Sequence, residues 1–133
     1  MIIGYTCGVF DLFHVGHVEI LKNSKKLCDK LIVGLTTDEV VSYKGTNTII
    51  NYDDRKTILE SCKYVDIVVP QDDHNKVNAY YKLKYNILFV GDDWYNDNNW
   101  NNYEEILKKY NVEIKYFPYT KKISTTKIKS LLN

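Results

Sequence analysis

The sequence predicts an open, parallel, five-stranded α/β sheet with helices on both faces, built as one domain over residues 1–133. Three observations predict it. Short apolar runs of strand character alternate along the chain with segments whose apolar residues recur at helical spacing. Strand alternating with helix implies a parallel sheet with right-handed crossovers. The length of 133 residues suits a single domain with a modest core, and no internal repeat divides it.

The elements follow in order. Ile2–Thr6 is a short buried strand, and Gly16–Leu27 carries Val18, Leu21 and Leu27 on one helix face. Leu31–Leu35 is the second strand, followed by a short helix beginning near Thr37. Tyr52–Ser61 is helical, capped by Asn51 or by an Asp in its first turn. Ile67–Val69 is the third strand, stopped by Pro70; Val77–Leu83 is a helix and Ile87–Val90 the fourth strand. The polar, Asn-rich run Tyr95–Asn102 reads as a surface loop before a helix over Tyr103–Tyr110. Val112–Phe117 is the fifth strand, and Ser124–Leu132 closes the chain as a helix with Ser124 as its cap.

Composition narrows the function classes. Eighteen basic side chains face seventeen acidic ones, for a net charge of +1, which argues against a whole-protein nucleic-acid or membrane-surface binder. No apolar run approaches the roughly 18 residues a membrane span needs. The opening Met1–Thr6 reads as a strand of the fold rather than a signal peptide. Cys7, Cys28 and Cys62 are too scattered for a disulfide scaffold or a zinc site, which fits a reducing cytoplasm. Arg55 is the only arginine in a lysine-rich chain.

In open sheets of this kind, ligands bind beyond the carboxyl ends of the strands, where strand order reverses. The loops after strands one, four and five are therefore the places to inspect. The first reads Gly8-Val9-Phe10-Asp11-Leu12-Phe13-His14-Val15-Gly16-His17. Gly8 lets a nucleotide lie close to the backbone. His14 and His17 are three apart at a helix start and can face one side, with Gly16 leaving room and open N–H groups for a phosphate. Paired imidazoles can donate to oxygens that gain charge when an α-phosphorus is attacked. The plainer readings are a helix cap, a half-buried core histidine, or part of a metal site, although no third ligand stands at suitable spacing.

This run resembles the HxGH signature of the cytidylyltransferase family within the nucleotidyltransferase superfamily, and most nearly its bacterial branch acting on glycerol 3-phosphate. The resemblance covers nearly the whole chain, with a longer segment after Trp94, and implies a Rossmann-like sheet, CTP with Mg2+, a phosphorylated acceptor and a homodimer. In that family a lysine matching Lys44 contacts phosphates and acceptor, whereas a second basic position is Thr46 here. By itself Lys44-Gly45 is a helix end with a solvated charge.

Arg55, at a helix start, has two readings: a surface salt bridge, or a bidentate phosphate clamp suited to its planar fork. The resemblance implicates it in substrate binding and matches Lys76, across a gap, with a lysine that holds the acceptor phosphate. Tyr64-Val65-Asp66 looks like the family's dimer segment or plain core. After strand four, Gly91-Asp92-Asp93-Trp94 resembles a family hallmark, and its carboxylates can serve ribose hydroxyls or a hydrated magnesium. A turn with a helix cap is the alternative.

The last segment, Tyr119-Thr120-Lys121-Lys122-Ile123-Ser124-Thr125-Thr126, looks like the family's Arg-Thr-x-Gly-Ile-Ser-Thr-Thr motif. Hydroxyls and free N–H groups at a helix start make an anion site for the β- and γ-phosphates. Tyr119 replaces the motif's arginine and Lys122 its glycine; Lys121 or Lys122 can restore charge, and Tyr119 can stack on the base. Asp11 is expected to orient the His loop or assist the metal.

The resulting expectation is CMP transfer from CTP to a phosphorylated small alcohol, foremost sn-glycerol 3-phosphate, with Lys44, Arg55 and Lys76 on the acceptor. Open alternatives are another acceptor such as phosphocholine or phosphoethanolamine, an adenylyltransferase, or a nucleotide-binding module without turnover. A tRNA-synthetase relative is disfavoured by the short chain and the absence of a basic excess.

Overall fold

The computed structural model describes residues 1–43, 47–73, 75–91, 100–118 and 125–132, without the side chains of Tyr43 and Thr125–Lys127. Its elements are β1 (Ile3–Gly8), α1 (Val15–Lys25), β2 (Lys30–Thr36), α2 (Asp38–Tyr43), α3 (Tyr52–Glu60), β3 (Ile67–Gln71), α4 (Lys76–Leu83), β4 (Ile87–Gly91), α5 (Trp100–Lys109), β5 (Glu113–Phe117) and α6 (Thr125–Leu132). The strands pair in parallel in the order β3-β2-β1-β4-β5. The chain runs outward from β1 to β3, crosses back, and continues through β4 to β5. Strand order therefore reverses between β1 and β4, which opens a crevice at their carboxyl ends.

Side-chain alternation along the strands feeds two cores. Leu31, Val33 and Leu35 of β2 pack with Leu21 of α1, Leu59 of α3 and Phe89 of β4 on one face. On the other, Ile32, Tyr5 and Leu88 pack with Val77 and Ala79 of α4 and Trp100 and Leu107 of α5. Covering on both faces explains why the sequence of β2 is a continuous apolar run rather than an alternating one. Each fully buried leucine contributes about 1.5–3 kcal/mol relative to exposure.

One close approach fixes β1 against β3. A Cβ on Gly34 would lie 2.0 Å from the Tyr5 hydroxyl, so only glycine leaves room for that ring. The Tyr5 ring stacks on Tyr85 with centroids 4.9 Å apart, and its hydroxyl donates to Gln71 Oε1 at the end of β3.

Several element ends differ from expectation, each for a physical reason. β3 runs through Pro70 to Gln71 because β3 is an edge strand, where a missing N–H need not break a ladder. α5 starts at Trp100, three residues before the expected Tyr103, so the end of the Asn-rich run is helix. Trp100 is fully buried, and its indole N–H donates to the Tyr116 hydroxyl at 2.9 Å, tying the helix start to β5. Asn51 is the cap of α3, with Oδ1 accepting the Asp54 N–H at 3.0 Å. Ser124, the expected cap of α6, lies outside the described residues. Among the described residues no helix is long and apolar enough to cross a membrane.

Candidate functional site

At the reversal point, the carboxyl ends of β1 and β4 border a cleft with about 670 Å3 of empty space, part of it open to solvent. Gly8, Val9, Phe10, His17 and Gly91 line it together, so residues from two separate expected motifs meet around one space. Phe89 and Pro118 add apolar walls.

His14 and His17 take up a reciprocal cap at the start of α1. His14 is the cap residue and its Nδ1 accepts the Gly16 N–H at 3.1 Å, while His17 Nδ1 accepts the His14 N–H at 3.2 Å. Histidine thus occupies both places of a capping box, where Ser or Thr and Glu or Gln are usual. An Nδ1 that accepts a hydrogen bond is unprotonated, so each neutral ring carries its proton on Nε2. The rings lie 4.0 Å apart, centroid to centroid. Gly16 is buried with its N–H spent on His14 Nδ1, so that N–H is not open to a phosphate as expected.

Burial lowers the pKa of His14, and burial followed by the neighbouring His14 lowers that of His17 to about 4. Phe10 and Phe13 produce that burial, with ring centroids 5.2 and 5.6 Å from His17. Both rings are neutral donors at pH 7. Neutral Nε2–H groups suit oxygens that become more negative during transfer.

Asp11 is 1% exposed. Its Oδ2 accepts the Ile49 N–H at 2.8 Å and its Oδ1 the Ile50 N–H at 3.0 Å, while Lys129 Nζ lies 3.2 Å from Oδ2. Burial pushes this carboxyl up, but the two N–H donors and Lys129 outweigh it and hold the pKa below the ordinary value. Of the two expected roles, bracing the loop has the geometry; an oxygen pair so occupied does not fit a metal. Among the described residues no group of three His, Cys, Asp or Glu side chains could hold a metal ion.

Arg55 makes the salt bridge of one reading, with Asp38, but from a buried position, and it departs from the other. It is 1% exposed, not a surface residue. Its Nε donates to Ile50 O at 2.9 Å, its Nη1 to Val9 O and Thr36 O at 2.8 Å each, and its Nη2 to Asp38 Oδ1 at 2.6 Å. A fork spent on three carbonyls and a carboxylate is not a two-pronged phosphate clamp. It holds the β1–α1 loop, the end of β2 and the entrance to α3 together. Lys76 is likewise not the open phosphate ligand expected: it is 2% exposed, with its ammonium 5.9 Å from the centroid of the Trp100 ring.

Tyr64 and Val65 pack against the α1–α3 core, and the Asp66 carboxylate accepts the Leu31 N–H at 2.7 Å. Lys44, Asp92, Asp93, Trp94, Tyr119, Thr120, Ile123 and Ser124 lie outside the described residues, as do the side chains of Thr125 and Thr126. Sequence reasoning missed Asp38 and Lys129. The signal for Asp38 was present as an acid following β2; Lys129 read as one more solvated lysine.

A doubly wound sheet with a glycine loop and two imidazole donors at its switch point defines a nucleotide-binding α/β protein of the nucleotidyltransferase kind. Residues 5–131 match the family model described as cytidylyltransferase-like, and the chain belongs to that family. It is 40% identical over 125 residues to the glycerol-3-phosphate cytidylyltransferase of Bacillus spizizenii, covering 93% of this chain and 92% of that one. With the protein of the same name from Staphylococcus aureus it shares 36% identity over 128 residues, covering 96% and 92%. The crystal structure of a lipopolysaccharide core biosynthesis protein from Thermoplasma volcanium superposes with a TM-score of 0.76 at 26% identity, over 92% of this chain and 99% of that one.

Proposed function

We propose that this protein transfers CMP from CTP to sn-glycerol 3-phosphate, forming CDP-glycerol and pyrophosphate. The observation that carries the reading is the reciprocal cap of His14 and His17, which commits both Nδ1 atoms to the backbone and leaves the Nε2–H groups outside the cap, on His17 in the cleft lining and on His14 in the ring 4.0 Å from it. The choice of nucleotide and acceptor is supported by family membership and by the names of the two near-full-length relatives.

In this reading the triphosphate lies along His14 and His17 and reaches the Ser124–Thr126 helix start. Magnesium would enter with the nucleotide as part of the substrate and would offset phosphate charge, and no protein ligand is assigned to it. An oxygen of the acceptor's phosphate attacks the α-phosphorus in line. The bond from that phosphorus to the bridging oxygen breaks, and pyrophosphate leaves with the electron pair. The imidazole donors stabilise the charge that accumulates on the phosphoryl oxygens. Lys44 holds the acceptor phosphate, Asp92 and Asp93 the ribose, and Tyr119 the base. Arg55 and Asp11 act through the backbone they brace. The enzyme works in the cytoplasm, where CTP is available, and as a homodimer joined near Tyr64-Val65-Asp66, as the family resemblance implies.

Tyr119 and Lys122, which depart from the family motif, favour one rival: a module that binds CTP without turning it over. Pyrophosphate release, measured with CTP or ATP against sn-glycerol 3-phosphate, phosphocholine and phosphoethanolamine, separates the readings. The proposal expects CTP with sn-glycerol 3-phosphate to be fastest. A preference for ATP or another acceptor overturns it, and CTP binding without pyrophosphate supports the rival.

A further inference from the structure

Three segments of the chain converge on Asp11. The carboxylate belongs to the β1–α1 loop and accepts the Ile49 and Ile50 N–H groups of the segment before α3. Lys129, on α6, places its ammonium 3.2 Å from Asp11 Oδ2 and donates to Asn47 O at 3.0 Å. One cation thus ties α6 both to the loop that carries His14 and to the stretch that follows Lys44.

Two features make this tie more than a neutralised surface charge. The first is what holds α6. Its last two leucines, Leu131 and Leu132, are 79% and 66% exposed, so apolar burial does not fasten that end of the helix, and Ile128 and Lys129 are its half-buried side chains. The second is the backbone around Asp11. Phe10 and Leu12 have φ of 51° and 54°, a left-handed conformation that such side chains adopt only where their surroundings enforce it. The Asp11 carboxylate lies between them as the enforcing anchor, and Lys129 is the cation on that carboxylate.

We propose that Lys129 is a positioning residue for nucleotidyl transfer: through Asp11 and the Asn47 carbonyl it keeps α6, the histidine loop and the segment after Lys44 in one arrangement. The inference rests on the reaction assigned above. Lys129 stands one helical turn beyond Thr125 and Thr126, so fixing it fixes the direction of the helix start that would meet the phosphates. Loss of the tie lets the two sides of the triphosphate site shift relative to each other, and small misplacements of reacting groups cost large factors in rate.

The test uses the full chain with K129M, which keeps length and removes charge, and K129R, which keeps both charge and donors. Two readouts are taken: amide hydrogen exchange at Ile49 and Ile50 without substrates, and kcat and KM with CTP and sn-glycerol 3-phosphate. K129M is expected to lose about tenfold in protection at those amides. Leaving buried Asp11 without its cation should lower the thermal midpoint of K129M, and at equal folded fraction its kcat should still be about tenfold or more below that of the parent. K129R should recover most of both.

A K129M protein with parental kcat and parental exchange overturns the inference. So does a kcat loss that only tracks the fraction unfolded, or a K129R protein no better than K129M. A parent protein inert toward this substrate pair overturns the assigned reaction instead, and the exchange readout then tests the tie alone.

Discussion

His17 Nδ1 accepts the backbone N–H of His14 at 3.2 Å, while His14 Nδ1 accepts that of Gly16 at 3.1 Å. Each imidazole therefore caps the helix with Nδ1 and keeps Nε2 outside the cap. The two jobs can be separated by substitution. Asn at position 14 and Gln at position 17 keep an acceptor for the same N–H groups, whereas Ala keeps none. H14N and H17Q are expected to keep close to the parental free energy of urea unfolding, and H14A to lose about 1 kcal/mol. Equal losses for H14N and H14A would mean that the cap contributes nothing.

The buried His17 makes stability depend on pH. In the unfolded chain its pKa is near 6.5, while in the folded protein burial and His14 lower it to about 4. The unfolded state therefore binds the proton first as pH falls. The contribution is complete above pH 6.5 and is lost as pH approaches 4, a change on the order of 2–3 kcal/mol. Urea midpoints between pH 7 and pH 4 should fall more steeply for the parent than for H17Q. Parallel curves would contradict this account of the ring.

Arg55 predicts a loss of stability rather than of affinity. R55M leaves the carbonyls of Val9, Thr36 and Ile50 without their donor and Asp38 without its cation. The expected cost is on the order of 3 kcal/mol in urea unfolding, with R55K retaining a minority of the contacts. Parental stability with a raised acceptor KM would instead restore the phosphate clamp.

Much of this fold is legible in the sequence because its strands are buried on both faces and appear as apolar runs such as Leu31–Leu35. The β1–α1 loop was legible as a place to inspect because glycine and two histidines three apart follow the first strand, although the helix cap they form was one of the plainer readings. Arg55 shows the limit. Its rarity in a lysine-rich chain marked a need for the planar fork, but sequence cannot distinguish three distant carbonyls from a phosphate as the fork's target. Lys129 was hidden for a similar reason: its partner Asp11 is 118 residues away, and only the crossing back of the chain at β1 and β4 brings the two ends together. Pro70 misled because edge and central strands are distinguished by sheet order, which local sequence does not state.

Gly34 and Tyr5 supply a test of the core. A methyl group on Gly34 would overlap the Tyr5 hydroxyl, so G34A should destabilise by about 1–3 kcal/mol. Y5F alone strands Gln71 Oε1, which loses its donor. Removing the hydroxyl relieves the closest of these overlaps while a Cβ would still lie 2.8 Å from Tyr5 Cζ, so the Y5F/G34A protein should be more stable than the sum of the single losses allows. Strict additivity would mean that the two residues do not compete for the same space.

The central claim is that the Nε2–H groups of His14 and His17 stabilise nucleotidyl transfer. Steady-state pyrophosphate release with CTP and sn-glycerol 3-phosphate tests it most directly when parent, H14N and H17Q are compared at equal folded fraction. The account predicts kcat losses of about a hundredfold or more for both variants, with the helix intact. Turnover at the parental rate in either folded variant would contradict it.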